Sequence, residues 1–258
     1  MTTPDVLIFD LFGTLVFFDD SRVPTMDVAG RRIPMTIADL PVLLEDFLPG
    51  VGVADFLREL RSVGAAIAEK KRREGTEVHT SVRFEQTLLA LGADAPRASA
   101  GARRMATLHM DTLARSVVCP PGRDALLAAL AQTRRLALLS NFDDGATARR
   151  VLAEAGLARH FDVIVISEEE GLRKPSRAIF ERTCARLAVA PAACLYIGDT
   201  LVEDIEGATG AGLEALWVRS ATARAATPAG ETASPAAGIV EDVDALPAWL
   251  AARRYSRA

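Results

Sequence analysis

Three cysteines in 258 residues, Cys119, Cys184 and Cys194, are odd in number and far apart along the chain. That is too little for a disulfide framework or a zinc site, and they read as reduced core thiols. Long apolar runs are missing too: none approaches the ~18 residues that a bilayer-spanning helix needs. The opening Met-Thr-Thr-Pro-Asp has neither the basic stretch nor the apolar core of a secretory signal. A soluble, cytoplasmic protein is expected. There is also no excess of positive charge, because 30 Lys and Arg stand against 34 Asp and Glu, for a net charge of -4. With a pI near 5.5, the chain lacks the basic footprint of a nucleic-acid or polybasic membrane partner, so a small-molecule ligand is expected. No internal repeat is present.

What the chain does have is apolar bulk and a regular alternation of elements. Half of its residues are hydrophobic, enough to pack one large domain or a core with a smaller companion. Val6 to Leu15 opens with a short run of β-favouring residues that ends in Asp10 and Gly13, the pattern of a buried parallel strand presenting a carboxylate at its C-terminal tip. Residues 16–24 leave that tip as a hinge. Ala29-Gly30 between β-formers suggests a hairpin, with Pro34 confining it to an edge. From Asp39 to Arg115, apolar residues recur every three or four positions, broken near Pro49-Gly50 and Gly92, and predict about four amphipathic helices. The charged run Glu69 to Glu74 reads as a solvated helix face.

After Pro120-Pro121-Gly122 the pattern alternates helix and strand. Strands are predicted at Leu136 to Leu139, Val163 to Ile166, Cys194 to Ile197 and Ala215 to Val218, with helices between them, one of them over Asp204 to Ala211. Ala221 to Ala237 reads as a loop with few large apolar groups to bury, and Ile239 to Leu250 as a last strand and helix. The expected fold class is α/β: a Rossmann-like three-layer core with a parallel sheet, plus a small separate α-helical domain. The core is assigned to residues 1–18 and 117–258, the helical domain to 19–116.

In a parallel sheet the C-terminal tips share one edge. That edge would carry Asp10, Ser140 with Asn141, and Asp199, with Asp204 five residues further on. Several carboxylates beside a lysine are costly unless a cation neutralises them, and magnesium favours such an oxygen set.

Asp10-Leu-Phe-Gly-Thr14, Ser140-Asn141, Gly171-Leu-Arg-Lys174-Pro175 and Gly198-Asp199-Thr-Leu-Val-Glu-Asp204 resemble, in order, the four motifs of the haloacid dehalogenase-like hydrolase superfamily. The helical insertion between the first two motifs resembles that family's small cap. The resemblance implies Asp10 as a nucleophile that forms an aspartyl-phosphate, and Ser140 and the Asn141 amide as donors to the phosphoryl group. It implies Lys174 as the cation joining nucleophile and phosphoryl oxygens, and Thr14 as a brace or phosphate donor. Magnesium would lie on Asp10, Asp199, Asp204 and the backbone carbonyl of Phe12.

One position departs from the phosphatase pattern. A second aspartate two residues after the nucleophile usually protonates the leaving oxygen, and here Phe12 stands in its place. General acid help is worth ~10²–10⁴-fold, so alkyl phosphates should suffer more than activated esters. Asp19, Asp20, Glu77 and His79 are the candidate substitutes. An aromatic residue at that position resembles the 2-haloacid dehalogenases, but those replace the first motif-four aspartate by serine and keep a tyrosine six residues after the lysine. This chain has Asp199 and Phe180 at those places. The expectation is a magnesium-dependent phosphatase of a small phosphorylated metabolite. Displacement of halide by Asp10 is the first alternative, and binding of a phosphorylated ligand without turnover the second.

Overall fold

In the computed structural model, which describes residues 4–219 and 236–255, the first strand β1 (Val6–Phe9) lies at the centre of a six-stranded parallel sheet. The other members are β6 (Arg135–Ser140), β7 (Val163–Ile166), β8 (Cys194–Gly198), β9 (Glu214–Val218) and β10 (Gly238–Val240), in the order β10-β9-β8-β1-β6-β7. β2 (Phe17–Phe18) and β5 (Val117–Val118) form a separate pair of two-residue strands, and β3 (Thr25–Val28) with β4 (Arg31–Pro34) forms an antiparallel hairpin.

The sheet is apolar on both faces, as a parallel sheet covered by helices on two sides must be. Val6, Ile8, Ala137, Leu139, Val165, Tyr196 and Trp217 belong to one buried cluster with Ile179, Phe180, Cys184 and Leu187 of the helix Arg177–Leu187. The intervening residues Leu7, Phe9, Leu136, Leu138, Leu195, Ile197 and Leu216 are buried as well. Cys184 and Cys194, ten residues apart, bring their Sγ atoms within 4.0 Å, and all three cysteines are free thiols.

The chain divides into two compact units, Met1–Phe17 with Val118–Ala258, and Phe18–Val117. In the second, the hairpin turns through Ala29 and Gly30, both at positive φ (54° and 78°), the geometry a two-residue turn between twisted strands requires. Four helices follow: α1 (Leu40–Phe47), α2 (Val53–Glu74), α3 (Ser81–Ala90) and α4 (Ala95–Ser116). They bury Leu40, Leu44, Phe56, Phe84, Leu88 and Met105. The charged end of α2 is solvated as expected at Glu69, Lys70, Arg72, Arg73 and Glu74, and Lys71 is the exception: its Nζ lies 2.5 Å from Glu77 Oε1, and both of those side chains are largely buried.

The helix predicted over Asp204 to Ala211 is two pieces, a π-helical turn Leu201–Glu206 and a short α-helix Gly207–Gly210. The wider turn arises where Ile205 N–H reaches back five residues to the Thr200 carbonyl. β10 and a helix over Leu246–Tyr255 occupy the predicted C-terminal positions. Most of the predicted loop Ala221 to Ala237 lies outside the described residues. Among those residues no helix is long and apolar enough to cross a membrane.

Candidate active site

Register brings the polar tips together. Phe9 pairs with Leu138 on one side and Ile197 on the other, so Asp10, the next residue, lies between the ends of β6 and β8. Its N–H donates to the Ile197 carbonyl at 2.9 Å. Ser140 closes β6, and Asp199 follows the last residue of β8. The turn after Asp10 depends on Gly13, whose φ is 91° and whose missing Cβ would fall 2.3 Å from Asp199 Oδ2. Only glycine meets both demands. Gly198 gives the same clearance to Asp204, since a Cβ there would lie 2.4 Å from its Cγ.

Lys174 is the hub of the site. Its side chain is 2% exposed, and its Nζ donates to Asp10 Oδ1 (2.7 Å), Asp204 Oδ1 (2.6 Å) and Tyr196 Oη (2.7 Å). An ammonium has three protons, and three acceptors meet it. Asn141 fixes the backbone beneath: its Oδ1 accepts from Lys174 N–H at 2.8 Å, and its Nδ2 donates to the Lys174 carbonyl at 3.0 Å. The same Nδ2 donates to Glu203 Oε2 (2.9 Å), and Glu203 Oε1 accepts from Arg173 (2.7 Å). Asp204 is braced at its other oxygen by Thr200 N–H, 2.8 Å.

Asp10, Asp199 and Asp204 each offer an oxygen within 4.8 Å of the others'. Three carboxylates against one ammonium leave negative charge in excess, and the titration of the cluster reflects it. Burial raises Asp10 well above the ordinary carboxylate range, and the charges of Asp204 and Asp199 add to that, against the pull of Lys174. Asp199 is pushed up to about 7, first by burial and then by Asp204. Burial alone would depress Lys174, but Asp10 and Asp204 outweigh it and hold the ammonium charged. A divalent cation removes this excess, and an all-oxygen set of carboxylates suits magnesium. The residues present therefore fit that ion.

Two hydroxyls complete the picture. Ser140 Oγ and Thr14 Oγ1 are buried, and neither has a hydrogen-bond partner. An unsatisfied buried hydroxyl costs about 1–3 kcal/mol, so two of them beside a nucleophile-like carboxylate read as donors held for a ligand. Phe12 stacks its ring on Phe142, centroids 4.6 Å apart and planes 26° from parallel.

The structure thus brings Asp10, Lys174, Asp199 and Asp204 into one cluster, sets Ser140 and Thr14 at the same strand ends, and uses the Asn141 side chain to grip the Lys174 backbone. Sequence reasoning missed Tyr196, whose hydroxyl also bonds the Leu139 carbonyl at 3.0 Å, and Trp217, whose indole N–H holds the Asp199 carbonyl at 2.9 Å. A tyrosine inside an otherwise apolar buried strand was the available signal. It missed the Glu203–Arg173 link as well. Of the stand-in acids, Glu77 pairs with Lys71, the His79 ring bonds Ser81, Asp19 caps a 3-10 turn through Ser21, and Asp20 lies in that turn.

A family model described as haloacid dehalogenase-like hydrolase matches residues 4–212. A phosphoglycolate phosphatase of Cupriavidus necator is 31% identical over 253 residues, 98% of this chain and 95% of that protein. The N-acylneuraminate-9-phosphatase of Mus musculus is 40% identical over 95 residues, 36% of this chain, and the chain covers only 38% of the length of that relative. A solved 2-haloacid dehalogenase from Pseudomonas syringae aligns over 97% of this chain and 99% of its own, with a TM-score of 0.67 and 22% identity, a likeness of fold.

Proposed function

The chain belongs to the haloacid dehalogenase-like hydrolase family, and from that premise we propose that it is a magnesium-dependent phosphatase of a small phosphorylated molecule, working in the cytoplasm, with residues 19–116 as its helical cap. The observation that carries the reading is the excess of carboxylate around Lys174, with the two partnerless hydroxyls of Ser140 and Thr14 beside it.

In this reading an Asp10 oxygen attacks phosphorus, the bond to the leaving oxygen breaks, and an aspartyl-phosphate forms that water then hydrolyses. Lys174, already bonded to Asp10 Oδ1, holds the nucleophile in place and offsets the charge that spreads over the phosphoryl oxygens. Ser140 Oγ donates to one of those oxygens, with the Asn141 N–H as a second donor, and Thr14 braces the turn or donates to another. Asn141, Glu203 and Arg173 keep the Lys174 loop seated. Magnesium would be held by Asp10, Asp199 and the Phe12 carbonyl, with Asp204 beside it, and would neutralise charge on the phosphoryl group.

Phe12 favours a second reading, in which Asp10 displaces halide from carbon and no leaving-group proton is needed. Asp199 speaks against it, since a metal-free displacement has no use for a third acid in the cluster. Purified protein assayed on p-nitrophenyl phosphate and on L-2-chloropropionate, with magnesium and with chelator, decides between them. Phosphate release that stops on chelation supports the phosphatase. Halide release that is indifferent to metal overturns it.

A further inference from the structure

We propose that the helical unit carries a binding site of its own, for a medium-chain fatty acid, in the cleft between the β3–β4 hairpin and the N-terminal half of α2. This goes beyond the phosphatase reading and does not rest on it. The juxtaposition behind it is an apolar cavity with two guanidiniums and no acid in its wall.

Strand and helix periods bring these groups together. Val28, Arg31 and Ile33 share one face of the hairpin, since Val28 pairs with Arg31 and alternate residues of a strand point the same way. Ala54, Leu57, Leu60 and Arg61 recur at three- and four-residue steps along α2 and so share one side of it. The two sets line a cavity of about 470 Å³, within the range of small-molecule sites. At the ~30 Å³ that a water takes in the liquid, it holds roughly fifteen non-hydrogen atoms, about the size of decanoate or dodecanoate. Val28, Ile33, Leu57 and Leu60 are only half-buried, and an alkyl chain laid against them removes that apolar surface from water. Ile33, Leu57 and Leu60 also line a second space of about 200 Å³, so this wall is thinly backed by core.

The arginines select the head group. Arg32, on the opposite face of the hairpin, donates to Thr25 Oγ1 at 2.8 Å, and Arg58 is paired with Asp55 three residues before it. Arg31 and Arg61, the two that line the cavity, have no carboxylate within ion-pair reach among the described residues. Arg61 Nε reaches back to the Leu57 carbonyl at 3.4 Å, which lays the side chain over a lining residue and leaves its outer N–H groups for a ligand. A guanidinium fork matches the two oxygens of a carboxylate, so this wall favours an anionic head over a neutral or cationic one.

The test is calorimetric titration of the full chain with decanoate, decan-1-ol and decylammonium, each below its micelle-forming concentration. It is run on the wild type, on Arg31→Gln combined with Arg61→Gln, and on Ala54→Trp. All three positions are exposed, so the variants should fold, and their melting temperatures check that. Decanoate should bind one per chain, at least about tenfold more tightly than the alcohol or the amine, as a charge-assisted hydrogen bond provides. The double arginine variant should erase that preference and leave the alcohol bound. Ala54→Trp, which fills the cavity and keeps both charges, should abolish binding of both. Decanoate that fails to bind, that binds no more tightly than the alcohol or the amine, or that survives Ala54→Trp overturns the proposal. Sedimentation equilibrium on the same samples reads the rival occupant: a dimer that these variants dissolve and decanoate does not would assign the cleft to a second copy of the chain and overturn it too. None of these measurements reads phosphate release, so their failure leaves the phosphatase reading standing.

Discussion

Lys71 and Lys174 are both drawn onto carboxylates in largely buried surroundings, and the charge around them differs. Lys71 meets Glu77 at 2.5 Å across the end of α2, a charge against a charge. Lys174 meets Asp10 and Asp204, with Asp199 close enough to share a cation with them. The first arrangement fastens one piece of chain to another. The second leaves negative charge over, which no fold needs and which burial makes expensive. Imbalance, rather than the presence of a buried ion pair, separates the site from the scaffold.

Removing the attacking group should break that contrast most sharply. Asp10→Asn is expected to lower turnover by at least ~10⁴-fold while the metal-free melting temperature stays level or rises, because a crowded acid has gone. Steady-state kinetics and calorimetry on the same sample check both halves. Ser140→Ala should come next, with kcat down by about 10²–10³-fold for one lost donor and no loss of stability, since the hydroxyl has no partner to lose.

The opposite outcome is expected on the structural side. Glu77→Gln removes the carboxylate that Lys71 meets at 2.5 Å and should cost roughly 2–3 kcal/mol in denaturant unfolding, somewhat under the penalty for a fully buried pair. A stability cost below about 0.5 kcal/mol would place that pair with ordinary surface contacts.

A further contrast is a matter of pH. Asp199, raised to about 7, binds its proton more tightly folded than unfolded, so its contribution to stability is present in acid and is lost as pH rises through about 7. Metal-free protein should therefore lose stability from this group between about pH 4 and 7, and magnesium should restore it at pH 8. Because proton and metal compete for Asp199, magnesium affinity should fall by about tenfold per pH unit below that value. Thermal shifts across a magnesium titration at several pH values would show the trend, and a flat profile would remove Asp199 from the metal site.

Asp10, Ser140, Lys174 and Asp199 were legible because each follows a pattern that survives in one dimension: an apolar strand that stops at a polar residue, or a lysine before proline in a glycine-led loop. The parallel sheet was legible for the same reason. Tyr196 and Trp217 were not, because their roles depend on which strands lie side by side and which face of β8 and β9 meets Lys174 and Asp199. The π-helical turn at Leu201–Glu206 looks helical in any periodicity, and its extra residue shows only in the hydrogen bonds. Glu77 was a candidate substitute acid, since nothing local says that Lys71 folds over it. The nearness of Cys184 to Cys194 likewise comes from the helix Arg177–Leu187 packing on the sheet.

That Asp10, bonded to Lys174 in a cluster where carboxylate is in excess, acts on phosphorus is the step on which the phosphatase reading turns. It is tested most directly by acid-quenching the protein during turnover of p-nitrophenyl phosphate with magnesium and weighing its peptides. One phosphoryl group is expected on the peptide holding Asp10, and none in Asp10→Asn. Phosphate released with no label on that peptide, or with the label on another residue, would contradict it.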